Sequence, residues 1–113
     1  MTDEVRKYLF DALEASKYAK EFTKDKSFEE YTNDELVKSA VERKLEIAGE
    51  ALNRIKKKDL ESLDKIREWR DIISFRNNLA HSYEHINHTL VWSILQDDID
   101  ELISDLSKVL NEL

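Results

Sequence analysis

The chain has no cysteine and no proline, and in 113 residues glycine occurs once, as Gly49. Without cysteine there can be no disulfide, no thiolate metal site and no thiol nucleophile, which fits a reducing compartment. Without proline, and nearly without glycine, the usual helix breakers are missing, which excludes an architecture built on many tight turns. Long apolar runs are absent too: none approaches the roughly 18 residues a membrane-spanning helix requires, and the N-terminal "MTDEVRKYLF" is charged from its third residue, unlike a secretory leader. The expectation is a soluble, cytoplasmic protein with no membrane partner.

An excess of positive charge is also lacking. Lys and Arg total 18 against 25 Asp and Glu, a formal charge of -7. Such a field repels a polyanion, so any contact with RNA or DNA must be made by a local group of cations. The candidates are "RIKKK" at 54–58 and the scattered Lys65, Arg67, Arg70 and Arg76. The lysines are better explained as a solvated helix end whose cations favour the C-terminal dipole.

What is present is helix-forming sequence, 38% charged. Val5, Tyr8, Leu9, Ala12, Ala15, Ala19 and Phe22 recur at three- and four-residue steps, predicting an amphipathic helix to about Thr23 capped by Thr2 or Asp3. Ser27 with Glu30 and Thr32 with Glu35 each match a capping box, so a short turn at 28–31 should precede a second long helix. That helix should carry Leu36, Ala40, Val41, Ile47, Ala48, Ala51, Leu52 and Ile55 on its apolar side and end near Lys57. Residues 59–68 predict a short connector with Leu60, Leu63 and Ile66 inward. A third main helix should start at Trp69 and run towards Leu79 or Ala80, and Asn87 should cap a last one whose stripe extends from Val91 to Leu110. The fold class expected is all-α, an antiparallel bundle of four to five helices forming a single domain over residues 1–113.

The least helix-like stretch is "FRNNLAHSY" at 75–83. Its residue types suit chemistry at a phosphodiester: a guanidinium to hold phosphate oxygens, an imidazole to move a proton near neutral pH, and an amide to orient either. The same residues could instead satisfy the last carbonyls of a helix and its dipole. Arg76 and His81 are five positions apart, about 140° on a continuous helix, so they can cooperate only if the helix ends between them or a second copy takes part. Asn77 and His81, four apart, would share one face. A competing pattern, "HSYEH" at 81–85, fits H-x-x-E-H, in which two histidines bind zinc beside a glutamate. It would need helix through 85 and a third ligand, for which His88 is the only other histidine.

Arg76 to Tyr83 together resemble the R-x4-H-x-Y signature of the HEPN superfamily, specifically its HepT-like toxins. "SFEEYTNDELVKSAVERKLEIAGEAL" at 27–52, "WRDIISFRN" and the "VW" at 91–92 are similar to that family's second helix, its approach to the arginine and its last helix. The chain departs in having "EWRDI" where a proline often precedes the tryptophan, and Asn87 where aspartate is common.

The resemblance implies a helical bundle working as a homodimer, with two copies of the signature lining one cleft, and a metal-independent endoribonuclease without cofactor. In it His81 would be general acid or base, Arg76 would bind the phosphate and Asn77 would orient it. It further implies a cognate minimal nucleotidyltransferase antitoxin that transfers AMP to Tyr83. Glu50, in "AGEA", would face the cleft or brace Arg76, or be an ordinary exposed helix glutamate. Tyr8, Tyr18 and Tyr31 are expected to be packing residues, and Trp69 and Trp92 core anchors rather than base-stacking platforms. The alternative function is a non-catalytic module of the same superfamily that binds nucleotide or a partner as a regulatory subunit.

Overall fold

A computed structural model describes the backbone of residues 1–81 and 86–112 and the side chains of 1–78 and 86–112. The described residues form helices α1 (Asp3–Thr23), α2 (Phe28–Thr32), α3 (Glu35–Lys58), α4 (Trp69–His81), α5 (His88–Ser93) and α6 (Ile99–Asn111). A 3-10 turn at Leu60–Leu63 precedes α4, and a π-helical turn at Ile94–Asp98 joins α5 to α6. No helix among the described residues is long and apolar enough to cross a membrane.

The caps explain the boundaries. Thr2 accepts from the Val5 amide at the start of α1, and Ser27 and Glu30 form a reciprocal capping box on α2. The second expected box is not used: Thr32 is the last residue of α2, and Asp34, accepting from the Val37 amide, caps α3 instead. Aspartate sits immediately before the helix, whereas use of Thr32 would have required the helix to begin two residues earlier. Asn87 caps α5 as expected, its Oδ1 accepting from Leu90.

The core runs between α1, α3 and α6, with α4 packed on α3. Its fully buried members include Leu9, Leu45, Leu52, Ile55, Ile72, Leu102 and Leu106, each contributing roughly 1.5–3 kcal/mol by leaving water. Leu36 does not join them; it is 80% exposed. The inward stripe of α3 is Val37, Val41, Leu45, Ala48, Leu52, Ile55, and Leu36 lies one position off it. Leu60 is also exposed, while Leu63 and Ile66 are buried as expected. Tyr31 is fully buried, packing on Trp92 and edge-on to His88. Tyr18 is exposed beneath Lys44 rather than a core residue.

The last helix differs most from its pattern. Its apolar stripe has a gap at Asp97 and Asp98, and there the π turn occurs. Asp105, two heptads after Val91, falls on the buried side, where both its oxygens accept from Arg67: the backbone amide at 3.0 Å, Nε at 3.1 Å and Nη2 at 3.2 Å. Burial alone would raise this carboxyl, but the Arg67 hydrogen bonds and charge outweigh it and hold the group below the usual aspartate range. The pair ties the approach to α4 onto α6.

Candidate active site

The sequence of α4 puts Trp69, Ile72, Ile73 and Arg76 at i, i+3, i+4 and i+7, one stripe, and the first three are buried. Arg76 thus occupies a core-facing register position with a charged side chain. It is accommodated because α3 presents Gly49, the chain's one glycine, at the crossing. A Cβ on Gly49 would lie 2.5 Å from Arg76 Cβ and 2.9 Å from the Ile72 carbonyl oxygen. Only hydrogen in place of a side chain permits this approach. The arginine stem is clamped between helices while its guanidinium emerges, donating from Nη1 to Asn77 Oδ1 at 3.0 Å. Asn77 and Asn78 are exposed.

α4 is helical through His81, one or two residues past the expected end. This decides the geometric question left by the five-residue spacing: the helix does not end between Arg76 and His81. Positions 76 and 81 of one chain stay about 140° apart around the axis, whereas 77 and 81 share a face. The His81 side chain and residues 82–85, including Tyr83 and the "HSYEH" pattern, lie outside what the structure describes.

On the far side of that segment, α5 is firmly held. Besides the Asn87 cap, His88 Nδ1 lies 3.7 Å from Glu42 on α3, and Trp92 packs on Tyr31 and Phe28. Burial pushes the Glu42 carboxyl up, opposed by the nearby His88 and Lys38.

Glu50 does not brace Arg76. Its Oε1 accepts from Arg54 Nη2 at 2.9 Å, and it lines a shallow cavity facing α1 with Tyr8, Asp11 and Ile47. The residue of "AGEA" that touches Arg76 is Gly49. Trp69 is a core anchor, 9% exposed, with the Arg70 guanidinium 4.4 Å from its ring centre. Trp92 is half-buried.

One group of side chains had no signal in the sequence. Glu68, Asp71 and Asp98 bring carboxylate oxygens within 4.8 Å of one another, with Glu101 beside them. Partial burial, a hydrogen bond that the protonated Glu68 donates to Glu101 and the surrounding negative charges push Glu68 up to about 7, and Asp98 is raised by burial and by the charges of Asp71, Asp97 and Glu101. Glu68 immediately precedes α4, Asp71 lies in its first turn and Asp98 ends the π turn, 27 to 30 positions later, so only the fold reveals their proximity.

Comparison with known proteins agrees with the motif. The family model described as "Ribonuclease HepT-like" matches residues 12–109. A protein of Methanocaldococcus jannaschii named "Putative RNase MJ1380" is 33% identical over 94% of this chain and 96% of its own. "Putative RNase TTE0752" of Caldanaerobacter subterraneus is 31% identical, covering 95% of each chain. "Probable ribonuclease HepT" of Thermococcus cleftensis is 33% identical over 90% of this chain and 92% of its own. No solved structure gives a significant match.

Proposed function

Because the chain belongs to the HepT-like ribonuclease family of the HEPN superfamily, we propose that it is a metal-independent endoribonuclease, the toxin of a cytoplasmic toxin–antitoxin pair. The observation that carries this reading is the extent of the family match, residues 12–109, in a chain with Arg76, Asn77, His81 and Tyr83 in the R-x4-H-x-Y order.

In the proposed reaction the RNA 2′-oxygen attacks the adjacent phosphorus as the bond to the 5′-oxygen breaks, leaving a 2′,3′-cyclic phosphate and a 5′-hydroxyl. His81 takes the proton from the 2′-hydroxyl or delivers one to the departing oxygen. Arg76 neutralises charge building on the phosphoryl oxygens, and Asn77, bonded to it, orients the group. The clamp of Gly49 on the Arg76 stem supports a preorganised guanidinium, which need not be ordered at the moment of reaction.

The active species is a homodimer. Positions 76 and 81 of one chain lie about 140° apart around the continuous α4 axis, an arrangement that supports a shared cleft in which a second copy supplies one half of the site. A minimal nucleotidyltransferase switches the enzyme off: the Tyr83 hydroxyl attacks the α-phosphorus of ATP, pyrophosphate leaves, and the attached AMP puts bulk and negative charge two residues from His81.

Expression without the partner gene tests the reading. Wild type should arrest growth and cleave RNA in the presence of EDTA. His81→Ala and Arg76→Ala should remain folded and lose roughly 10²–10⁴-fold in cleavage rate. Undiminished cleavage by the His81 variant would sink the catalytic assignment. Co-expression with the transferase should raise the mass by whole adenylyl groups, an increase that Tyr83→Phe removes.

A further inference from the structure

Of the eight cations named from the sequence, four are already engaged in ion pairs. Arg54 is paired with Glu50, Lys58 with Glu4, Lys65 with Glu112, and Arg67 with Asp105 and Glu101. Lys56, Lys57, Arg70 and Arg76 form no ion pair among the described residues, Arg76 instead donating to Asn77. Lys56 and Arg70 line one open cavity of about 310 Å³ with Ile66, Trp69, Arg67 and Asp64, at the junction of the α3 C-terminus and the start of α4. With the Arg67 charge committed to Asp105, Lys56 and Arg70, unpaired among the described residues, outnumber the single Asp64 carboxylate of the cavity. The Arg70 guanidinium lies over the Trp69 ring, 4.4 Å from its centre, a contact that orders it without occupying its hydrogen-bond donors.

The register of α4 connects this cavity to the candidate active site. Arg70, Ser74, Asn77 and position 81 follow i, i+4, i+7 and i+11, a single face, and the first three are exposed. Arg70 and Asn77 are about 10 Å apart along the axis, which is roughly three nucleotides of stacked strand or two of an extended one. The Arg76 guanidinium joins this face through its hydrogen bond to Asn77.

The geometry points to a distal phosphate subsite for single-stranded RNA, formed by Lys56 and Arg70, that holds the backbone about two or three nucleotides from the phosphate being cut. This inference rests on the ribonuclease reading and extends it to the length of substrate. A chain carrying a formal charge of -7 offers RNA little general attraction, so a local pair of uncommitted cations has a large share of the binding to perform.

The test measures binding of fluorescein-labelled single-stranded RNA of three and ten nucleotides to the His81→Ala full-length protein, with and without Lys56→Ala and Arg70→Ala, across a salt series. Cleavage of the same RNAs by chains retaining His81 runs in parallel. The ten-nucleotide RNA should bind more tightly than the short one. The double substitution should remove that advantage, about ten- to a hundredfold, and flatten the log–log salt slope by about 1.4 for two phosphates released. Arg70→Lys with Lys56→Arg should restore much of the slope. If RNA is cleaved but the double variant keeps both length advantage and slope, the subsite is wrong and the ribonuclease reading stands. If no RNA is bound or cleaved, both fall.

Discussion

Replacing Gly49 by alanine sets two calculable effects against each other. In the interior of a 24-residue helix, glycine to alanine should stabilise by roughly 0.8–1.0 kcal/mol through backbone propensity. The new methyl, however, would lie 2.5 Å from Arg76 Cβ and 2.9 Å from the Ile72 carbonyl oxygen. Neither atom is the free end of a flexible side chain: one is the root of the arginine stem, the other is α4 backbone. Relief requires α4 to move off α3, an overpacking cost of about 1–3 kcal/mol. Contacts this short call for the upper half of that range, so the net expectation is a loss of roughly 1–2 kcal/mol, a fall of about 4–8 °C in Tm for a chain of this length. Thermal and urea unfolding measure it directly. Because the displaced atoms include Arg76 Cβ, RNA cleavage by the folded variant should fall further than its unfolded fraction explains, with kcat affected more than KM. A Gly49→Ala protein as stable as wild type would refute the reasoning, since propensity would then have won and the close helix approach would be soft.

Asp105→Ala should cost about 2–3 kcal/mol in urea denaturation, because it strands the Arg67 amide and guanidinium together, and Asp105→Asn should cost less by keeping one acceptor. The Asp105 carboxyl is held below its ordinary value, so its contribution is present above about pH 4 and is lost as pH falls through the depressed folded value. Glu68 acts in the opposite sense: raised to about 7, it retains a proton in the folded state that the unfolded chain releases near 4.5, so stability should decline as pH climbs from about 4.5 to 7. Glu68→Gln should flatten that decline and raise Tm at pH 7.5 relative to wild type; an unchanged pH–Tm curve would remove the acidic cluster as its cause.

Much of the fold was legible because its determinants are local. Thr2, Ser27 with Glu30, and Asn87 cap by reaching three residues along their own chain, and the sequence spells out that reach. Leu36 was misread because a stripe can be drawn through either of two adjacent apolar positions, and only packing against the core selects Val37. The π turn was visible only as a gap in the pattern. The motif residues were likewise readable, but their support was not: Gly49 and Arg76 are 27 positions apart and meet only when two helices cross. Glu50 drew attention as the charged neighbour, yet the contact belongs to the residue with no side chain. The acidic group at Glu68, Asp71 and Asp98 escaped for the same reason of sequence distance.

The unbroken run of α4 through His81 also changes what the spacing of the motif means. A rigid helix is a protractor as well as a ruler: five residues advance about 7.5 Å and turn about 140°. Deleting one residue between 76 and 81 would shorten the advance by only about 1.5 Å but close the angle to about 40°. The two groups would then point the same way, towards a site that one chain could complete alone. The number of intervening residues in R-x4-H is thus an angular specification, and in the proposed shared cleft it is the angle, more than the distance, that a second chain would make good.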